Sequence, residues 1–556
     1  MPAPFMPEDA NLTPNRRAFL KTTLIGSAAA TLAPLYPALG AAREVAPLIP
    51  ATNMKAFELD EITISDLQDG MKSGKVTARS LVEKYSARIE EIDKNGPAIN
   101  SIIELNPDAL SIADSLDKER KAQGPRGPMH GIPVLIKDNI DTADKMMTTA
   151  GSLALVGSKP PQDSYVAQKL RSAGAVILGK TNLSEWANIR SSHSTSGWSG
   201  RGGLTKNPYA LDRNPCGSSS GTGAGISANL CAVGIGTETD GSIVCPSSSN
   251  GLAGIKPTVG LVSRRGIIPI SHSQDGAGPM CRTIRDAATL LGALTGVDQG
   301  DAATAASAGK SYTDYTQFCD PNGLKGARIG VARKYFGFND AVDALMEQSL
   351  DAMKKQGATL LDPADIETLG KFDDTELLVF MYELKADLNT YLARRGPNAP
   401  VRTLKDIIDF NDRNRQKEMP YFGQDLFLKA EAKGPLTEKE YLDALAKNQQ
   451  LARTEGIDAT MDKYKLDAMV APTGGPAWLT DLVNGDHVAG GSSNAAAVAG
   501  YPNINVTAGF LSGLPVGISF FGRAWSEPVL IRLAFAFEQA TKARQSPRFL
   551  STIGAG

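Results

Sequence analysis

Four consecutive residues, Thr239-Asp240-Gly241-Ser242, hold most of what an acyl-transfer centre needs. A hydroxyl that attacks a carbonyl needs a base to take its proton and donors to hold the oxygen that becomes negative. Ser242 follows an apolar strand candidate, Ala232-Val-Gly-Ile-Gly236, and lies in a glycine-containing turn. There the N–H groups of Thr239, Asp240, Gly241 and Ser242 can converge on one oxygen as an oxyanion hole. Gly241 has no side chain to keep a carbonyl away. The Asp240 carboxylate would anchor the loop. A serine hydroxyl is inert at neutral pH without a base beside it. The chain has 4 histidines, His130, His193, His272 and His487. His193 lies in a polar loop near the turn, and the other three have no ligand spacing and read as structural. A lysine serves instead where burial and neighbouring donors keep it neutral. Lys137 ends the apolar run Gly131-Ile-Pro-Val-Leu-Ile-Lys137, a place where a partly buried amine arises. Asp138 beside it would either orient the lysine or hold a turn.

The elements around these residues alternate. The spacing predicts strands at 131–138, 175–179, 232–236, 327–332, 467–471, 503–507 and 516–521. Helices are predicted over about 63–94, with Ser65 as a cap, and over 107–122, 163–173, 284–296 and 528–543. Residues 188–221, rich in Ser, Gly, Asn and Pro, read as loop, and 335–465 as a charged, variable helical cap. The whole is an α/β fold, a central mixed sheet covered by helices on both faces. Within the loop, Gly217-Ser-Ser-Ser-Gly221 also fits the nucleophile elbow G-x-S-x-G with Ser219 as nucleophile, but no strand is predicted before it. Gly221-Thr-Gly223-Ala-Gly225 lacks a preceding strand and reads as a helix start rather than a dinucleotide site.

Taken in order, these stretches resemble the amidase signature family. The match comprises Gly131 to Asn139, the Gly-Ser-Ser-rich loop, Thr239-Asp240-Gly241-Ser242, Gly254-Ile-Lys-Pro257, Gly513-Leu-Pro-Val-Gly517 and the terminal helix with Glu538-Gln-Ala-Thr541. It spans about residues 60–545. The resemblance implies a Ser–Ser–Lys triad that cleaves carboxamide bonds through an acyl-enzyme. Ser242 would be the nucleophile, Lys137 the base, and Ser218 the bridging serine, held by a non-proline cis peptide bond. The family's Gly-Gly-Ser-Ser-Gly-Gly loop here reads Cys216-Gly-Ser-Ser-Ser-Gly221, so Ser219 is the alternative bridge. Ser196-Gly-Trp198, Gly202-Gly203, Asn207-Pro-Tyr-Ala-Leu-Asp212 and the residues around Ser242 most resemble bacterial peptide amidases, which release ammonia from C-terminally amidated peptides. Relatives cleave aryl anilides and other acylamides. Trp198 and Trp478 are candidates to line the substrate pocket, with core packing the competing role. No metal or cofactor is implied. The alternatives are an aryl acylamidase, a transamidation subunit that feeds ammonia to a partner, and a catalytically silent binding protein on the same core.

The bulk figures agree with a globular enzyme. The chain has 556 residues, a formal net charge of -2, 42% hydrophobic and 21% charged residues. No dense basic run follows residue 50, which argues against a nucleic-acid partner. The five cysteines, Cys216, Cys231, Cys245, Cys281 and Cys319, contain no C-x-x-C pair. They read as small buried hydrophobes, not a disulfide framework or a zinc site. At the start, Asn15-Arg16-Arg17-Ala18-Phe19-Leu20-Lys21 precedes an apolar stretch that ends in small residues near Ala42. This is the pattern of a twin-arginine export signal over residues 1–42, followed by a catalytic domain over 43–556. It implies a periplasmic or secreted protein with no stable membrane insertion once the signal is cleaved. The substrate would be a small molecule or short peptide amide.

Overall fold

The computed structural model describes residues 56–396 and 399–554. The twin-arginine stretch lies outside the described residues. One sheet of eleven strands organises the chain. Its first six strands are β1 (Ile102–Leu105), β2 (Pro133–Lys137), β3 (Val176–Thr181), β4 (Val233–Glu238), β5 (Ala253–Lys256) and β6 (Gly276–Cys281). The remaining five are β7 (Arg328–Val331), β8 (Thr359–Leu361), β9 (Ala468–Pro472), β10 (Asn503–Leu511) and β11 (Leu514–Phe521). Across the sheet they run β1-β3-β2-β4-β6-β5-β10-β11-β9-β7-β8. β2 pairs in parallel with both β3 and β4, β7 in parallel with β8 and β9, and the other neighbours are antiparallel, so the sheet is mixed.

Both faces are covered. Along β9, Ala468 and Val470 join the main core with Ile504, Ile518 and Phe520. The alternate residues Met469 and Ala471 join a second cluster with Tyr335, Phe372 and Ile457. This period-2 division is what a strand buried on both faces requires. β2 is buried at every residue, which explains its unbroken apolar run up to Lys137.

Four strands, β1, β5, β6 and β8, are absent from the sequence reading. β6, Gly-Ala-Gly-Pro-Met-Cys, is poor in the β-branched residues that mark a strand, and it is held by its place between β4 and β5. The first helix, Ile64–Ser73, is capped by Thr63 and not by Ser65 as expected. Thr63 and Asp66 form a reciprocal capping box, which satisfies two backbone donors where a cap at Ser65 would forgo a helical turn.

The 335–465 segment is not uniformly a cap. Helix Asp340–Lys355 buries Val342, Met346, Leu350 and Met353 in the main core, and β8 extends the sheet edge. The cap proper begins at helix Asp373–Arg394. Its Met381, Leu384, Leu388 and Leu392 form a separate cluster with Leu404, Ile407, Ile408 and Phe427. Ala150, Leu183, Trp186 and Ile270 belong to that cluster too, so the cap sits on the loops that border the site.

Candidate active site

Lys137 is fully buried at the end of β2. Its Nζ lies 2.7 Å from Ser218 Oγ, 2.9 Å from Thr237 Oγ1 and 3.2 Å from the Thr237 carbonyl. Thr237 comes from β4, the parallel neighbour of β2, where Ile136 pairs with Ile235. Asn139 Nδ2 donates to Thr237 Oγ1 at 3.0 Å and fixes that hydroxyl. Burial pushes the Lys137 amine down to about 7, against the pull of Asp275 and Glu238, which favour the charged form. A second buried lysine, Lys180 on β3, is tied to Thr148 Oγ1 at 2.9 Å and to the Ile140 carbonyl and has no hydrogen bond to a serine of the site.

Ser218 donates its backbone N–H to Ser242 Oγ at 3.3 Å, so the order in space is Lys137, Ser218, Ser242. Ser219, the alternative bridge and the candidate elbow nucleophile, is engaged elsewhere. Its Oγ donates to the Thr237 carbonyl at 3.0 Å and accepts from Thr237 N–H at 3.1 Å, which clips the loop to β4. Helix Ser220–Ser227 then follows, and its second residue, Gly221, is packed so closely that a Cβ would lie 2.3 Å from the Asn182 carbonyl oxygen. The non-proline cis bond expected at Ser218 is not present. Among the described residues the cis peptide is Asp362–Pro363. The sharp bend is made instead by two successive left-handed residues, Cys216 (φ 61°) and Gly217 (φ 61°).

The turn around Ser242 is shaped by Glu238. Its Oε2 accepts from Ile243 N–H at 2.7 Å and Val244 N–H at 3.0 Å, which curls the chain back through Gly241 (φ 76°). Glu238 is therefore the carboxylate that ties the turn to its own backbone. Asp240 Oδ1 has no hydrogen-bond partner, and burial raises its carboxyl to about 6. Thr239 is held from behind: its Oγ1 donates to Asp275 Oδ1 at 2.5 Å, and Gln274 Nε2 reaches its carbonyl at 3.4 Å. Asp275 Oδ2 accepts from Ile270 and Ser271 N–H, and the cap holds that loop through Ser271 Oγ to Glu383 Oε2. Among the described residues the N–H groups of Thr239, Asp240, Gly241 and Ser242 have no acceptor within the protein, which leaves four donors for a ligand oxygen.

Two expectations are corrected. Asp138 does not touch the lysine: its Oδ2 accepts from the Thr149 hydroxyl and from Thr149 and Gly151 N–H and lies 3.4 Å from Arg201, so it holds the 149–151 turn. Trp198 packs edge-on against Tyr421 and Phe422 of the cap, at 5.6 and 5.2 Å, and is not among the residues of the site cavity. Trp478 is. That cavity, about 310 Å3, is lined by Ser218, Ser242, Asp240 and Gly241 and by the apolar side chains Phe380, Trp478 and Val488. The cysteine expectation is corrected as well: Cys216 and Cys245 form a disulfide. They stand 29 positions apart in sequence, but the two turns bring their Cα atoms to 5.8 Å. Cys231 and Cys281 are buried free thiols, as expected.

Sequence reasoning did not assign roles to Thr237, Asn139, Glu238, Gln274 and Asp275. Thr237 and Glu238 were within sight, because a strand that delivers a serine at its end also delivers the residues just before it. Asp275 stands immediately before a strand, β6, that carried no readable pattern.

At Gly217 the loops nearly touch: a Cβ there would lie 2.6 Å from Pro246 Cδ, on a backbone at positive φ. Gly217→Ala should push the Ser218 loop away from Ser242. A displacement near 1 Å lowers turnover by about 100-fold, with the fold kept, as steady-state kinetics beside circular dichroism will show.

The Amidase family profile matches residues 80–531. The chain belongs to the amidase family. It is 43% identical over 504 residues to a probable amidase of Arabidopsis thaliana, covering 89% of this chain and 93% of that protein. It is 39% identical over 505 residues to a putative amidase of Arthroderma benhamiae, covering 86% and 81%. Among solved structures, the peptide amidase of Stenotrophomonas maltophilia superposes with a TM-score of 0.85 at 48% identity, over 88% of this chain and 99% of that one. A structure of the peptide amidase PAM with the competitive inhibitor chymostatin gives a TM-score of 0.86 at 48% identity, over 88% and 100%. As a member of the amidase family the protein is an amide-hydrolysing enzyme with the mixed α/β fold of that family.

Proposed function

We propose that this amidase cleaves carboxamide bonds with Ser242 as nucleophile and Ser218 and Lys137 as its proton relay, acting on C-terminal peptide amides or related acylamides. The observation that carries the reading is the contact of a buried, near-neutral Lys137 with Ser218 Oγ at 2.7 Å, next to Ser242. Neutral Lys137 draws the proton of Ser218, which draws that of Ser242 as Ser242 Oγ bonds to the amide carbon. The carbonyl oxygen gathers negative charge against the N–H groups of Thr239, Asp240, Gly241 and Ser242. The tetrahedral centre collapses, the C–N bond breaks, and Ser218 returns a proton to the leaving nitrogen. Water then attacks the acyl-Ser242 ester, and the same relay takes its proton and restores the serine.

The peptide-amide reading is supported by 48% identity to peptide amidases and by the chymostatin complex of one of them. The cavity fits it, with Trp478, Phe380 and Val488 available to an acyl side chain and the oxyanion residues in its lining. The test is ammonia release from a C-terminally amidated dipeptide by the purified protein without any partner. Release supports the reading; turnover of aryl anilides alone would move the assignment to aryl acylamides, and release only with a partner protein would move it to transamidation. Export by the twin-arginine route to the periplasm or beyond is proposed from residues 15–42. Retention of an Arg16→Lys, Arg17→Lys variant in the cytoplasm is the expected outcome, and unchanged fractionation would refute it.

A further inference from the structure

The Cys216–Cys245 disulfide joins the two segments that carry the reacting hydroxyls. Cys216 stands two residues before Ser218, and Cys245 three residues after Ser242. Both half-cystines line the same cavity as the two serines. Between the serines themselves the direct ties are long: Ser218 N–H to Ser242 Oγ at 3.3 Å and Ser219 N–H to the Ser242 carbonyl at 3.3 Å. Bonds of that length hold a spacing weakly. Cys216 moreover sits at φ 61°, a conformation that a residue with a Cβ keeps only where its surroundings hold it. One hold is the Asn214 side chain, which accepts Cys216 N–H at 2.8 Å. Its neighbours are held too, the Pro215 carbonyl by Asn250 Nδ2 at 2.8 Å and the Gly217 carbonyl by Ser184 Oγ at 3.0 Å, and the covalent tie is the bond to Cys245.

We infer that the disulfide between Cys216 and Cys245 is a positioning element of this amidase: it sets the separation of Ser218 and Ser242, so that turnover depends on its oxidation state. The inference rests on the proposed roles of those two serines. Cys216 is buried, but Cys245 is partly exposed on the cavity wall, within reach of a small dithiol. Reduction transfers two electrons and two protons from the dithiol, breaks the S–S bond, and leaves two cysteine thiols and the cyclic disulfide of the reductant. The 214–219 loop then keeps only its hydrogen bonds. Ser218 drifts from Ser242 while Phe380, which lines the cavity from the cap helix, stays in place. The loss should therefore fall on kcat rather than on KM.

The experiment compares the oxidised protein, the same protein after dithiothreitol, the reoxidised protein, and Cys216→Ala with Cys245→Ala as a double variant. An amidated dipeptide gives kcat and KM, and a fluorophosphonate gives the labelling rate of Ser242. A non-reducing peptide map shows the crosslink. The expected result is about a 10- to 100-fold fall in kcat and in labelling on reduction, with KM within a few-fold and recovery on reoxidation. The double variant should sit at the reduced rate and ignore dithiothreitol. Reversible reduction of the parent keeps the test valid if the variant fails to fold. Full kcat in the double variant, no response of the parent to reduction, or a peptide map without the 216–245 crosslink would each overturn the inference. An oxidised parent that labels at Ser242 but cuts no amide sinks the substrate reading alone, whereas an active parent indifferent to the crosslink sinks this one alone.

Discussion

Ser242→Ala should lower kcat on an amidated dipeptide by about ten-thousand-fold or more, with KM within a few-fold and the fold unchanged. The size follows from what is lost. The hydroxyl is the atom that would bond to the amide carbon, and no neighbouring group can replace it: Ser219 is clipped to Thr237, and Ser218 faces Lys137. What remains is the array of backbone N–H groups at 239–242, which an alanine keeps, so some stabilisation of the oxyanion and all of the binding cavity survive. The cost in stability should be small. Ser242 is partly exposed, and its Oγ accepts a single protein hydrogen bond, from Ser218 N–H. Ser219→Ala is the informative contrast. Ser219 is fully buried and bonded twice to the Thr237 backbone, so its loss should cost about 1–3 kcal/mol of stability by leaving Thr237 N–H unsatisfied. Ammonia release and fluorophosphonate labelling, read beside a thermal melt, separate the two. Equal ammonia release by parent and Ser242→Ala would remove Ser242 from the nucleophile's role.

The contrast between these serines shows where the sequence was legible. Seven strands were readable because Val, Ile and Leu runs such as 133–136 and 516–520 have no other stable home than a sheet buried on both faces. Position along a strand then carried chemistry: a lysine that ends such a run is buried, and the serine in the glycine turn after the neighbouring strand β4 lies one residue away, with Ser218 between them. Two kinds of feature escaped. Strands held by their neighbours, such as β6 with its Gly-Ala-Gly-Pro start, carry no pattern of their own, and with them went Asp275 and its hold on Thr239. Pairings set by the closure of two distant turns also escaped. Nothing in the spacing of Cys216 and Cys245 distinguishes a bridge from two buried thiols until Gly217 and Gly241 have folded their loops together. For the same reason Trp198 and Trp478 look alike in sequence, though the first packs under the cap and the second walls the cavity.

Lys137→Met should lower kcat by about a thousand-fold and abolish the acid limb of the pH profile. The direction of that limb comes from burial. An ordinary lysine at pH 8 is neutral in about one molecule in three hundred. With the amine brought down to about 7, about nine in ten are neutral at that pH. The parent should accordingly gain activity from pH 5 to 8, with its midpoint near 7, and the methionine variant's residual rate should not follow that curve. Stability supplies an independent reading of the same group. Between about 7 and the unfolded value of 10.5 the unfolded chain binds a proton that the folded protein does not, so folding becomes more favourable as pH rises through that window. As pH falls through 7 the buried amine must carry its charge, and that share of stability is gone. Removing the amine removes this dependence. Relative to the parent, Lys137→Met should therefore be more stable at pH 6 than at pH 9, by a difference that thermal melts at the two pH values measure directly. Variant and parent curves that run parallel with pH would mean that Lys137 stays charged in the folded state. A charged lysine offers no lone pair to Ser218, so the same result would also remove it as the base.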